Sequence, residues 1–172
     1  MFLTSAIKLF YLTHILILYA YALTYNDISI ENFTISKTLC SIKKSPKLNS
    51  LVISILSGAI LLQFIYYGML FKTRKIVSIL SIILLLSFAY FAYQVLNTNC
   101  ISDEETKNQH YLYASLLVTN LWLQCCLNGS TTFSVTFGIT LLAYIMYVSK
   151  YQDNLTVVSI FEILFFLQFL LC

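Results

Sequence analysis

The chain has 172 residues, of which 59% are hydrophobic and only 10% charged, with a net charge of +3. A water-soluble domain carries about 25% charged residues, so this composition excludes a soluble globular protein and points to an integral membrane protein. Membrane lipids are the expected partners and other membrane proteins are candidates, whereas nucleic acid is not expected.

A bilayer core about 30 Å thick takes about 20 residues of helix to cross, and a helix is favoured there because it satisfies its own backbone polar groups. Residues 2–23 form the first such run, interrupted by Lys8 and His14; Lys8 reaches the interface by snorkelling. The same stretch has a rival reading as a cleaved secretory signal, with Lys8, an apolar run from Leu9 and the small-residue step "AYA" at 20–22. Either reading leaves the loop 24–50 on the lumenal or extracellular side. Within it Asn32 of "NFT" is the one credible glycosylation acceptor.

Residues 51–71 and 76–96 are two charge-free spans separated by "KTRK". Lys72, Arg74 and Lys75 concentrate three cations in that short loop, and the positive-inside bias places it in the cytosol. Four lysines in the first loop argue for the opposite sign. Cys40 in the first loop and Cys100 in the next one then share the oxidising side, where a disulfide and two free thiols are both open readings.

From residue 111 to residue 149 no charge occurs, enough for two spans, 111–127 and 131–149, hinged at "NGS". Cys125 and Cys126 in the first of these read as packing residues. The last span, 155–172, carries Glu162 and ends at Cys172, a candidate for palmitoylation at the cytosolic membrane edge. The expected fold is therefore all-α, a polytopic bundle of six transmembrane helices in a single domain. Ten of the thirteen tyrosines fall at span ends that such a bundle places on one face, as expected for a ring that is apolar and a hydroxyl that seeks water.

No Gly-rich phosphate loop, CxxC, HExxH or Ser-centred elbow occurs in the chain. No catalytic residue, metal or cofactor is therefore expected, and the lone cysteine of "NTNCIS" argues against a vitamin K epoxide reductase. What remains is a layer of polar residues, His14, Gln63, Asn120, Thr140 and Glu162, all within about two helical turns of the bilayer midplane. An ionisable group at that depth costs about 2.5 to 3.5 kcal/mol, so it faces the bundle and seeks a partner. His14 and Glu162 are a candidate pair, with Asn120 an alternative partner for the carboxyl. The layer reads either as a proton-linked or lipid-headgroup site or as plain interhelical hydrogen bonding, worth about 0.6 kcal/mol per contact. Ser54 and Gly58 make a small-xxx-small step that fits packing within the chain or a dimer face.

Four segments resemble the six-pass damage-regulated autophagy modulator (DRAM) superfamily, which includes the GPI-lipid-remodelling proteins. "FTISKTLCSIKKSPKLNSLVISILSG" is similar to its first loop and second span, and "GMLFKTRKIVSIL" to its short basic loop. "HYLYASLLVTNLWLQCCL" is similar to its fourth span and "VVSIFEILFFLQFLL" to its sixth. The chain departs from the family in having a single proline in the first loop and no acidic-glycine step after His110. The resemblance implies a non-enzymatic endomembrane or plasma-membrane protein, at the lysosome, vacuole or Golgi, modulating autophagy, lysosomal function or phosphoinositide and lipid organisation. A small transporter or channel using the midplane layer, and an accessory subunit of a larger membrane complex, are the alternatives.

Overall fold

The computed structural model describes residues 2–24, 35–98, 104–129, 131–150 and 155–172. Asn32 and Cys100, expected to carry a glycan and a disulfide, lie outside the described residues. Seven helices follow one another: α1 Phe2–Thr24, α2 Ile35–Ile42, α3 Pro46–Leu70, α4 Lys75–Thr98, α5 Glu104–Asn128, α6 Thr131–Lys150 and α7 Leu155–Leu171. No strand occurs among the described residues. Leu3–Thr24, Pro46–Leu70 and Lys75–Thr98 are long and apolar enough to cross a membrane, while Thr131–Tyr147 and Ile160–Leu171 are shorter apolar helices.

Local chemistry sets the helix limits. Pro46 opens α3, where its fixed φ suits a first helical turn and its missing N–H leaves nothing unsatisfied. Its partner at the cap, Ser45, is extended (φ −113°, ψ 99°). At the other end the N–H groups of Thr73 and Arg74 both donate to Leu70 O, at 3.0 and 2.8 Å. This tight turn sends α4 straight back along α3. Short connections of this kind make neighbouring helices antiparallel, and α1 packs on α3, α3 on α4, α4 on α5, α5 on α6 and α6 on α7. α1 and α7 close the ring through a much sparser contact.

The exterior and interior are inverted relative to a soluble protein. Leu9, Leu61, Met69, Ile76, Ile139, Leu142 and Met146 point outward, whereas His14, Gln63, Ser78, Ser81, Asn120 and Gln124 are buried. An apolar belt of this extent has no place in water, and a polar interior is how a bundle in lipid satisfies its side chains.

Two apolar clusters hold the bundle. The larger joins Ile7 and Tyr11 of α1, Ala59 of α3, Phe88 of α4, Leu121 of α5, Phe137 and Leu141 of α6 and Phe165 of α7. Phe137 and Phe165 stack at 5.5 Å, while Tyr11 meets Phe88 and Phe169 edge-on. The smaller cluster joins Leu18, Leu39, Ile42 and Val52.

That second cluster exists because the first loop is not all loop. Residues 24–50 are expected as a connection, yet Ile35–Ile42 forms a two-turn helix with Ile35, Leu39 and Ile42 on one face, the i, i+4, i+7 spacing of an amphipathic helix. Eight residues are too few to stand out in a search for bilayer-length runs. α2 lies across the ends of α1, α3 and α4. Helices α3 and α5 also begin several residues ahead of the expected spans at 51 and 111, because backbone helix continues past the apolar stretch into the interface.

Gly58 of α3 faces α1: a Cβ there would stand 2.8 Å from Phe10 Cε1. The small-xxx-small step is thus used for close approach within the chain.

Candidate functional site

Between the two clusters, under α2, lies a cavity with about 830 Å³ of empty space, its open mouth included. Helices α1, α3, α4, α5 and α7 supply its walls and α2 its roof. Among the described residues that line it, His14 and Glu162 are the only polar ones.

Each of these two groups also fastens an element that bounds the cavity. His14 Nδ1 lies 3.3 Å from Val52 O; a carbonyl only accepts, so Nδ1 carries the proton and ties α1 to α3. Glu162 Oε2 accepts a hydrogen bond from Ile35 N–H at 2.7 Å. Ile35 opens α2, and the first N–H groups of a helix have no acceptor within it. A carboxylate there satisfies one of them and complements the positive end of the helix dipole. Glu162, on α7, therefore caps a helix 127 residues away in sequence. The far end of α2 is fastened as well: the Lys43 ammonium donates to Leu96 O, one of the last carbonyls of α4, which lack intrahelical donors. Tyr21 OH and Ser41 Oγ, 3.2 Å apart, add a tie to α1. The roof is thus held to three helices by polar contacts and to the smaller cluster by apolar ones.

A second polar system crosses the middle of the bundle. Tyr11 OH donates to Gln63 Oε1 at 2.8 Å, and Gln63 Nε2 donates to Tyr67 OH at 2.7 Å and to Gln124 Oε1 at 2.8 Å. Gln124 Nε2 donates to Asn120 Oδ1 at 2.7 Å. Ser78 Oγ donates to Tyr67 O at 2.6 Å, and Asn128 Nδ2 to Ser81 Oγ at 3.0 Å. Four helices, α1, α3, α4 and α5, share this network. Tyr11, Gln63, Tyr67, Gln124 and Asn128 also line a smaller cavity of about 510 Å³, mouth included, at the end of the bundle away from α2. No residue lines both cavities.

The five residues of the expected midplane layer therefore divide three ways. His14 and Glu162 share the apolar cavity, each bonded to backbone rather than to the other. Gln63 and Asn120 meet through Gln124, a buried residue that reading by depth passes over. Thr140 belongs to neither group, since its Oγ1 accepts from Gln168 Nε2 at 2.9 Å on the α6–α7 seam. His110, just outside the span 111–127, has its Nδ1 3.3 Å from Thr98 Oγ1. Burial against α4 lowers its pKa from the ordinary histidine value, opposed by a backbone hydrogen bond at Val95. Lys72, Arg74 and Lys75 are exposed around the α3–α4 turn, with the Lys75 ammonium 5.5 Å from the centre of the Phe71 ring.

Among the described residues no three of His, Cys, Asp or Glu gather as a metal site would require. The cysteines are arranged otherwise than expected: Cys125 is bonded to Cys172, with Cα atoms 5.5 Å apart, and Cys126 is the free thiol, exposed on the outside. Cys125 therefore does more than pack: it and Cys172 meet as a cross-linkable pair. Cys125 precedes the α5–α6 turn and Cys172 follows α7, so both lie at one depth, the signal that would have paired them. Cys40 is disulfide-bonded as well, and Cys100, expected as its partner, lies outside the described residues.

Compared with family models, curated proteins and solved structures, the chain matches none.

Proposed function

We propose that this chain is a non-enzymatic, six-pass endomembrane protein that binds and organises membrane lipid, in the service of autophagy and lysosomal function or of phosphoinositide-dependent processes. The observation that carries the reading is the apolar cavity under α2. The walls of the cavity are hydrocarbon, as a lipid chain requires, and His14 and Glu162 among its lining are two groups able to engage a head. The resemblance of the first loop, basic turn and fourth and sixth spans to the DRAM superfamily supports the same direction.

Helix lengths support all six long helices crossing a thin bilayer. α7 has 17 residues, about 26 Å at 1.5 Å per residue. That matches the roughly 27 Å of an early secretory membrane better than the roughly 32 Å of a plasma membrane. In this orientation both termini and the Lys72–Lys75 turn face the cytosol and α2 faces the lumen.

Native mass spectrometry of the chain released from cell membranes tests the reading. One retained lipid per chain is the expected result, together with residence of a tagged copy on Golgi or lysosomal membranes. A chain that emerges free of lipid, or that resides in the mitochondrial inner membrane, overturns it.

A second reading, a small transporter, is favoured by one observation: two cavities approach the same core from opposite ends of the bundle, with a polar network beside it. It requires that Glu162→Gln abolish a pH-dependent flux in reconstituted vesicles while the chain stays folded. An effect on stability alone removes this reading.

A further inference from the structure

We infer that the cavity under α2 binds one single-chain lipid whose head donates hydrogen bonds, a long-chain amine or alcohol, and that α2 is the lid over it; this rests on the lipid-organising reading and deepens it. Depth supports one chain. The α4 wall runs from Phe88 to Leu96, about 12 Å at 1.5 Å per residue. One leaflet of a 30 Å hydrocarbon core is about 15 Å, so the cavity spans most of one leaflet on the α2 side. A chain entering from that leaflet keeps its methylenes among Leu117, Leu121 and Phe165 and leaves its head at the level of Glu162.

The head is specified by what the two polar lining residues offer. The single proton of a neutral His14 ring is committed to Val52 O through Nδ1, so Nε2 presents an acceptor. Glu162 offers carboxyl oxygens. Two acceptors in an apolar surround leave a fatty-acid carboxylate without a donor and set like charges together, whereas a hydroxyl can give its one proton to either acceptor and an ammonium has N–H donors enough for both. The acceptor that receives the head is also the one that caps α2. Ile35 N–H occupies Oε2 and leaves Oε1 to a bound donor, so the head and the first turn of the lid share one carboxylate, which couples filling of the cavity to the seating of α2.

The test uses the full-length chain in nanodiscs with three photoactivatable probes of equal chain length: a sphingosine-type amine, a fatty alcohol and a fatty acid. Cross-linked peptides are mapped by mass spectrometry. Amine and alcohol are expected to label the cavity faces of α4, α5 and α7 at least threefold more than the acid. Ala114→Trp, which fills the cavity, should cut that labelling about tenfold, with Ala92→Leu as the substitute if the tryptophan variant does not fold. Glu162→Gln keeps an acceptor for Ile35 N–H but removes the charge, so amine labelling should fall to the alcohol's level. If the acid labels the cavity as well as the others do, the head assignment is overturned and the lipid reading stands. If all three probes label only outward faces, unchanged by the cavity-filling variants, both are overturned.

Discussion

Thr38 sits on α2 with its side chain wholly buried, and its hydroxyl has no hydrogen-bond partner among the described residues. A buried polar group left unmet costs about 1–3 kcal/mol, so removing the hydroxyl at constant shape should help. Thr38→Val is expected to raise stability by about 1 kcal/mol, read from thermal unfolding in mild detergent; a lower midpoint would reveal a partner for the hydroxyl. Gln63 is the opposite case, with side-chain hydrogen bonds to Tyr11 of α1, to Gln124 of α5 and to Tyr67 one turn along its own helix. Interhelical bonds in membranes average about 0.6 kcal/mol each. Gln63→Leu should therefore lower stability by about 2 kcal/mol, whereas Thr140→Val, which breaks one contact with Gln168, should lower it by about 0.6 kcal/mol. Titration into denaturing detergent measures both on one scale, and equal losses would show that the network is no more than a set of isolated contacts.

At the scale of elements, the two glycines with the closest contacts carry different constraints. A Cβ on Gly58 meets only the tip of the Phe10 ring, which is partly exposed and swings aside, so Gly58→Ala should change stability by no more than about 0.5 kcal/mol. A Cβ on Gly129 would stand 2.7 Å from Cys125 O and 3.0 Å from Cys172 Cβ. Backbone does not yield as a ring does, so Gly129→Ala should push the end of α7 away from α5 and hinder closure of Cys125–Cys172. Counting alkylated thiols without reduction, in protein extracted into an oxidising buffer, checks this: the alanine variant, like Cys172→Ser, should expose more than Cys126 alone, and an unchanged count would show that the corner tolerates the methyl. The long helices were legible from the sequence because a bilayer imposes a minimum length on uncharged runs. The cross-link between α5 and the end of α7 and the short α2 were not, since each depends on which turn of one helix meets which turn of another. Glu162 was recognised as an anomaly in an oily span, but its partner is a backbone N–H, and a backbone group leaves no mark in a sequence.

Over the whole molecule, the polar residues of the midplane were legible as a set and not as a site, because equal depth says nothing about which helices are neighbours. The ring order, with α5 and α7 on either side of α6, sends Thr140 to one seam, Gln63 and Asn120 to another, and His14 and Glu162 to the cavity. The same order places the cysteines. α3 and α5 both run away from α2, so the Lys72–Lys75 turn, Cys125 and Cys172 lie at one end of the bundle and Cys40 at the other. A membrane that separates an oxidising lumen from a reducing cytosol preserves a disulfide on one side only. With three cations in its tight turn, the end bearing Cys125 and Cys172 is the one that the positive-inside bias assigns to the cytosol. Lysis of cells in excess maleimide should then trap Cys125, Cys126 and Cys172 as thiols while Cys40 resists until it is reduced, and Cys125–Cys172 should close only after extraction into an oxidising buffer. Replacing Lys72, Arg74 and Lys75 by glutamate should weaken that preference and yield a fraction of chains with the reverse pattern. Trapping of Cys40 with Cys172 protected in the unmodified chain would turn the molecule over, putting α2 and the mouth of its cavity in the cytosol.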